Sequence, residues 1–384
     1  MYKKLLALST FSGTIIGVGL FGLPYVTAQI GFIPMIFYFL FLGIVMLFIQ
    51  LMYGEISLRT TALHRLPGYS RIYLNRSAEA ITYTTTIVGL TGSLLAYIVI
   101  GGEFLTSLLM PILGGNNFIY SAIFFIAGSL LIYFGSGPVS KTEFFSLGLF
   151  FIILIILFLK ASSAIDWQYL TTVNVDLKNF FLPYGVILFS ISGMAIIPEL
   201  KEILHDDEKS IKNIIITGLI IPIVTYLIFI ITIYGVTGSN TTPEGMTGLN
   251  LALGGGIAAI GFVFGIITTF TSFLTLGITL KKEFHYDWGL PGWLSWIAAC
   301  VPAFALYMAG FKNFIGIIGF IGSVTLGIDI TIISLIYLKS KTAGQRVPAY
   351  SMKISKKFVT VLTTLFIIGV IFEISKIIFS INLI

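Results

Sequence analysis

The stretch GTIIGVGLFGLP, residues 13–24, places four glycines and a proline inside the first apolar run of the chain. In a helix interior each glycine costs ~1 kcal/mol relative to alanine, and proline ~3 kcal/mol. A segment that only crosses a bilayer has no use for such residues at its centre. Backbone released from helical bonding at membrane depth persists only where protein, water or ligand satisfies it. The run 5–30 therefore reads as a helix broken in its middle.

The rest of the chain gives this break its setting. Of 384 residues, 57% are hydrophobic and 10% charged, a balance that places the chain in the bilayer. A single cysteine, Cys300, excludes a disulfide framework, and His64, His205 and His285 all lie in polar connectors. No Cys/His spacing suggests a metal centre, and nucleic-acid motifs and low-complexity tracts are absent. A spanning helix needs about 20 apolar residues. That ruler gives eleven segments: 5–30, 33–58, 79–110, 117–136, 142–163, 179–200, 211–237, 248–280, 291–310, 313–338 and 358–379. With the N-terminus in the cytoplasm, 18 of the 22 Lys and Arg fall on the inner side. The four on the outer side are Lys160, Lys178, Lys312 and Lys376. The positive-inside rule prefers this orientation, and an odd number of spans then leaves the C-terminus outside. Lys3, Lys4 and Val26-Thr27-Ala28 loosely resemble a signal peptide and its cleavage site. Removing the segment would spoil the charge asymmetry, so it is read as retained.

The sixth segment carries a second, weaker interruption. In PYGVILFSISGMAIIPELKE, 183–202, Ser190, Ser192, Gly193 and Pro198 fall within the apolar run. Helix 1 runs outward and helix 6 inward, so two five-helix halves are expected to be inverted relative to each other. Paired Gly/Pro-interrupted segments in corresponding halves point to a transporter's midplane site. A broken helix offers N–H groups at the start of its second half and C=O groups at the end of its first. The former suit a carboxylate and the latter an ammonium or small cation, which together describe a zwitterionic amino acid. Glycines 13, 17 and 19 let a substrate approach the backbone. Gly13 and Gly17 also form a GxxxG pair, which alone would signal helix packing. The added Gly19, Gly22 and Pro24, with the partner break, favour a substrate site.

These residues resemble the amino acid/polyamine/organocation superfamily. GTIIGVGLFGLPYVTAQIGFIP resembles its first helix and is most similar to the hydroxy/aromatic amino-acid permeases and the sodium-coupled neutral amino-acid transporters. YGEISLR (53–59), LFSISGMAIIPELKE (188–202) and TSFLTLG (271–277) fit the same group. The resemblance implies the five-plus-five inverted-repeat fold of the bacterial leucine transporter, an all-α membrane protein with helices 1 and 6 unwound at mid-membrane. Residues 1–384 then form one transporter domain, with repeats at 5–163 and 179–338 and an accessory helix at 358–379. It further implies that backbone N–H groups around Val18 and Gly19 hold the substrate carboxylate. The carbonyls of Ile15 and Phe189, with the Ser190 and Ser192 region, would face the amino group. Gly193 would shape the side-chain pocket, and Tyr97 in helix 3 is a candidate for its wall or gate.

The same resemblance bears on coupling. Many relatives hold sodium between helices 1 and 8, which here implies the carbonyls of Gly13, Ile16 and Thr268 and the hydroxyls of Thr271 and Ser272. Na⁺ is a hard cation suited to such oxygens, although membrane hydroxyls also bond back to their own helices. The second sodium site of the leucine transporter needs asparagines in helices 1 and 7. Leu20 stands at the first position and helix 7 has no Asn beyond Asn213 at its inner end, so that site is expected to be missing. The competitor is proton coupling through an intramembrane carboxylate, for which Asp329 in helix 10 and Glu103 in helix 3 are the candidates. The only lysines of helix 5, Lys141 and Lys160, lie at its ends and do not suit a cation-replacing role.

The expectation is a multi-pass cell-membrane importer of a neutral amino acid, with aromatic or large apolar side chains favoured, working by alternating access on a sodium gradient. It needs Na⁺ and no other cofactor, with the bilayer and the amino acid as its partners. A proton-coupled permease and an amino-acid sensor on the same fold are the alternatives. An intramembrane enzyme would need clustered His, Asp or Cys, which are absent, and a channel would show charged rings or a repeated filter.

Overall fold

A computed structural model describes residues 2–135, 139–172, 179–254 and 256–381. Lys178 and the side chain of Lys141 lie outside the described residues. Every regular element among those described is helical, in the order α1 Tyr2–Ile15, α2 Gly19–Ile30, α3 Phe32–Arg59, α4 Leu66–Tyr73, α5 Arg76–Leu113 and α6 Asn117–Phe134. There follow α7 Val139–Ala161, α8 Trp167–Thr171, α9 Leu182–Ser190, α10 Ile197–Ile203, α11 Ile211–Thr237 and α12 Met246–Leu253. The chain closes with α13 Ile257–Lys282, α14 Gly292–Met308, α15 Phe314–Phe320, α16 Leu326–Ala343 and α17 Lys356–Ile381. Among the described residues eight helices are long and apolar enough to cross a membrane, or nine when the bent pair α1 and α2 is one span.

Local chemistry sets the boundaries. Asn75, Asn116 and Asn313 each accept a backbone N–H with their side chains at the starts of α5, α6 and α15, the usual N-cap arrangement. Prolines open α9 and α10 at their first turn, where the missing N–H breaks no bond. The hydropathy segments map onto these elements with three departures. The sixth is divided into α9 and α10, neither long enough to span alone. The eighth, read as 248–280, is split because Gly254 and Gly256 take φ of 76° and 99° and separate α12 from α13. The ninth, α14, has 17 residues and falls just short on length. The basic connector 59–78 also hides α4, whose Leu66, Tyr69 and Tyr73 are buried.

The helices meet at glycines. An added Cβ on Gly185 of α9 would lie 2.9 Å from the carbonyl carbon of Gly319, and one on Gly322 would lie 2.7 Å from that of Gly185. On Gly22 of α2 it would lie 2.9 Å from Ile315 Cδ1. Two half-helices, α2 and α9, thus press backbone-close onto α15 and the wide π turn that follows it, as small residues permit between membrane helices. This closes the end of the bundle remote from Lys3, Arg65 and Lys282. We refer to the end carrying those residues as the basic end.

Candidate substrate and cation site

The first break is a change of hydrogen-bond partners over three residues. The Ile16 N–H still reaches back to the Ser12 carbonyl at 2.9 Å, completing α1. The Gly17 N–H turns to the Ile15 carbonyl at 2.8 Å, and the Leu20 N–H to that of Gly17 at 3.2 Å. The Val18 N–H points to the Tyr97 hydroxyl at 3.5 Å. In a continuous helix those three donors would satisfy the carbonyls of Gly13, Ile16 and Thr14. The break releases all three from their helical partners, and α2 leaves at 49° to α1.

The second break is handled differently. The Ile191 N–H closes on Ile187 at 2.9 Å, Ser192 reaches Phe189 only at 3.5 Å, and a single 3₁₀ turn at Met194–Ile196 precedes α10. Side chains from other helices take the exposed carbonyls. The Gln50 amide of α3 donates to Ile191 at 2.9 Å. The Tyr226 hydroxyl of α11 donates to Ser190 at 2.8 Å and also faces Ile15, the last residue of α1, at 2.6 Å. Both Gln50 and Tyr226 are fully buried. Sequence reasoning missed them, although a lone glutamine deep in an apolar run is itself a signal.

The glycines of the breaks serve contact as much as access. A Cβ on Gly19 would come within 3.0 Å of Ser190 Cα and closer still to its Oγ. The Ser190 hydroxyl donates to the Val186 carbonyl at 2.7 Å, turned back on its own helix. A Cβ on Gly17 would lie 2.6 Å from the Tyr97 hydroxyl, which puts Tyr97 against the break. Gly193 packs on Phe11, with Cε2 2.6 Å from its added Cβ, and on Ile15. It does not line the cavity described next. The Ile15 carbonyl, expected at an ammonium, already accepts from Gly17 and Tyr226.

A cavity of about 1130 Å³, its open mouth included, begins at these breaks with Gly17, Gly19, Tyr97, Phe189, Ser190 and Ser192. It continues past Ser93 and Thr325 to Thr85, Asp329, Tyr53, Arg65 and Glu283, reaching the basic end. Val18 is fully buried and offers only its backbone. Thr85 donates to Asp329 at 2.5 Å. Thr85 precedes Tyr97 by twelve residues of one helix, about 18 Å along its axis, so Asp329 sits far down the cavity from the breaks. Glu103, half-buried in α5, is not among the lining residues.

The oxygens named for a cation are distributed as follows. The carbonyls of Gly13 and Ile16 are released by the break. In α13 the Thr271 hydroxyl lies 3.0 Å from the Ile267 carbonyl and 3.1 Å from that of Thr268, which leaves its oxygen lone pairs to accept. Ser272 follows it, partly exposed. A Cβ on Gly13 would meet nothing within 4 Å. Carbonyl and hydroxyl oxygens of this kind suit Na⁺ and not a transition metal.

Ion pairs gather at the basic end. Arg65 meets Glu283 at 3.0 Å and Glu199 at 3.8 Å. Glu55 pairs with Arg59, one turn on in α3, and with Lys341, both at 2.8 Å. Lys3 meets Asp206 at 2.5 Å and Lys4 meets Asp207 at 2.8 Å, joining the start of α1 to the turn after α10. Hydrogen bonding from Lys3 and from Lys4 holds these two exposed carboxyls below the usual aspartate range.

Comparison with known proteins agrees with this geometry. The family model of the tryptophan/tyrosine permeases matches residues 2–374. The tyrosine-specific transport system 1 of Haemophilus influenzae is 24% identical over 288 residues, 71% of this chain and 70% of that protein. Among solved structures, that of MhsT in complex with L-phenylalanine superposes with a TM-score of 0.69 at 16% identity, covering 97% of each chain. At that identity the likeness establishes the fold, that of the leucine-transporter group.

Proposed function

The chain belongs to the tryptophan/tyrosine permease family, and from that premise we propose that it imports an aromatic amino acid by sodium-coupled alternating access. It is a multi-pass membrane transporter of amino acids and not an enzyme. The observation that carries the finer reading is the first break, where released carbonyls and the start of α2 border a cavity walled by Tyr97 and Phe189. The substrate carboxylate would lie at the N-terminal end of α2, on the N–H groups of Val18 and Gly19, where the helix dipole favours an anion. Its ammonium would face the carbonyls of Thr14 and Phe189. The ring would lie between Tyr97 and Phe189, towards Ser93.

In this reading 5–163 and 179–338 are the inverted repeats and 358–379 the accessory helix. The basic end is cytoplasmic, on the charge asymmetry, which puts the N-terminus inside and the C-terminus outside. The cavity then opens inward and the glycine contacts form the closed outer side. Sodium, the second cargo, would be taken by the carbonyls of Gly13, Ile16 and Thr268 and the hydroxyls of Thr271 and Ser272. The position of Asp329, bonded to Thr85 on the cavity wall, supports a second reading in which a proton replaces sodium.

The test is binding of labelled L-tyrosine, L-tryptophan and L-phenylalanine to the purified protein in sodium or choline at two pH values. Sodium-dependent binding lost in Thr271→Ala/Ser272→Ala supports the first reading. Binding indifferent to sodium, and altered by Asp329→Asn together with pH, moves the coupling to protons. No binding of any of the three sinks the aromatic assignment.

A further inference from the structure

The Tyr226 hydroxyl stands where two helix C-termini converge. Ile15 ends α1 and Ser190 ends α9, and their carbonyls lie 2.6 and 2.8 Å from one phenolic oxygen. Each helix C-terminus carries roughly half a negative charge in its last carbonyls. Two such ends aimed at one point in a dry core repel unless something positive sits between them. A phenol has a single O–H hydrogen, so one proton serves both acceptors. The ring is fixed as well: Tyr226 is fully buried, and its centroid lies 6.3 Å from that of Phe39.

A small cation would meet the same electrostatic need. The fold's second sodium site would draw on helices 1 and 7, and this chain does not fit it. Leu20 is a fully buried aliphatic with no oxygen to give. Asn213 lies thirteen residues before Tyr226 in α11, about 20 Å along the helix. What α11 brings to the breaks is the Tyr226 hydroxyl. We infer that Tyr226 is a positioning residue whose O–H permanently fills the place of a second cation, tying the breaks of helices 1 and 6 into one unit. The substrate site is then set with at most one ion. This rests on the transporter reading above, but not on which amino acid is carried.

Tyr226→Phe keeps the ring and removes the proton, and Tyr226→Asn adds an amide oxygen in a smaller volume. The readout is the thermal melting of purified wild type and both variants in sodium, lithium or choline, which needs no substrate. Sodium or lithium should raise the melting temperature of one or both variants more than that of wild type. Labelled L-tyrosine binding should be about ten-fold weaker in Tyr226→Phe than in wild type at low sodium and recover as sodium is raised. The sodium dependence of binding should steepen from a slope of about one to about two. A cation response identical to wild type in both variants overturns the inference, as does failure of both to fold in sodium. If wild type binds no L-tyrosine, the functional reading fails while the melting comparison still decides the role of Tyr226.

Discussion

The two interrupted helices solve the same problem to different degrees with their own backbone. At the first, the Gly17 and Leu20 donors turn to local carbonyls and the Val18 donor to the Tyr97 hydroxyl, and the carbonyls of Gly13, Thr14 and Ile16 lose their helical partners. At the second, the protein brings side chains from elsewhere, Gln50 to Ile191 and Tyr226 to Ser190. The first break is therefore suited to receive ligands on its backbone, and the second is held in shape by buried polar groups. A glycine-rich break leaves room for approach; a break with Ser190 and Ser192 at its edge relies on neighbours to satisfy it.

The largest effect should come from pushing the two breaks apart. Gly19→Ala forces a methyl into Ser190, and overpacking of this kind costs typically 1–3 kcal/mol. Because the strain falls between the breaks, L-tyrosine uptake should be abolished while the protein still inserts and purifies. Uptake at wild-type rates would mean that the breaks have slack between them and that the close contact is incidental.

A smaller effect isolates the capped break. Gln50→Leu leaves the Ile191 carbonyl unpaired in a dry core, worth about 1–3 kcal/mol. The melting temperature should fall, and substrate affinity should fall less than in Gly19→Ala. A variant as stable as wild type would show that the second break does not need its cap.

The smallest effect concerns how the halves α1 and α10 of the broken helices are moored at the basic end. Hydrogen bonds from Lys3 and Lys4 lower the pKa values of Asp206 and Asp207 in the folded state. Their contribution is fully present above the unfolded aspartate pKa of about 3.9 and is lost as pH falls through the lower folded values. Melting temperature should thus be flat through neutrality and drop below about pH 4 more steeply in wild type than in Asp206→Asn/Asp207→Asn. Both pairs are exposed, so the difference should be slight. Equal slopes would show that the mooring adds nothing.

The difference between the breaks also explains what could be read from sequence. Gly13, Gly17, Gly19 and Pro24 are close in the chain and chemically unusual for a membrane segment, so the first break is legible at once. Its released carbonyls follow from helix geometry alone. The caps of the second break, Gln50 and Tyr226, lie on helices far away in sequence, and their role exists only once Ser190 and Ile191 have lost their partners. Ile15 shows the same limit: its carbonyl looked available in one dimension and is taken by Tyr226 in three. Likewise, Gly193 suggested pocket room and instead accommodates Phe11. The split at Gly254 and Gly256 was masked because the residues on either side are apolar enough to read as one span.

The two ends of the bundle are held by different forces, the glycine-lined end shut and the basic end open to the cavity. At the glycine-lined end, Gly185, Gly319 and Gly322 bring backbone against backbone with no charge involved. At the basic end Arg65, Glu199 and Glu283 form contacts between ionised groups. Dissolved salt weakens exposed ionic contacts and leaves dispersion contacts largely untouched. The backbone contacts of the glycine-lined end should therefore hold at any ionic strength, while the pair of Arg65 with the partly exposed Glu199 should loosen as salt is added.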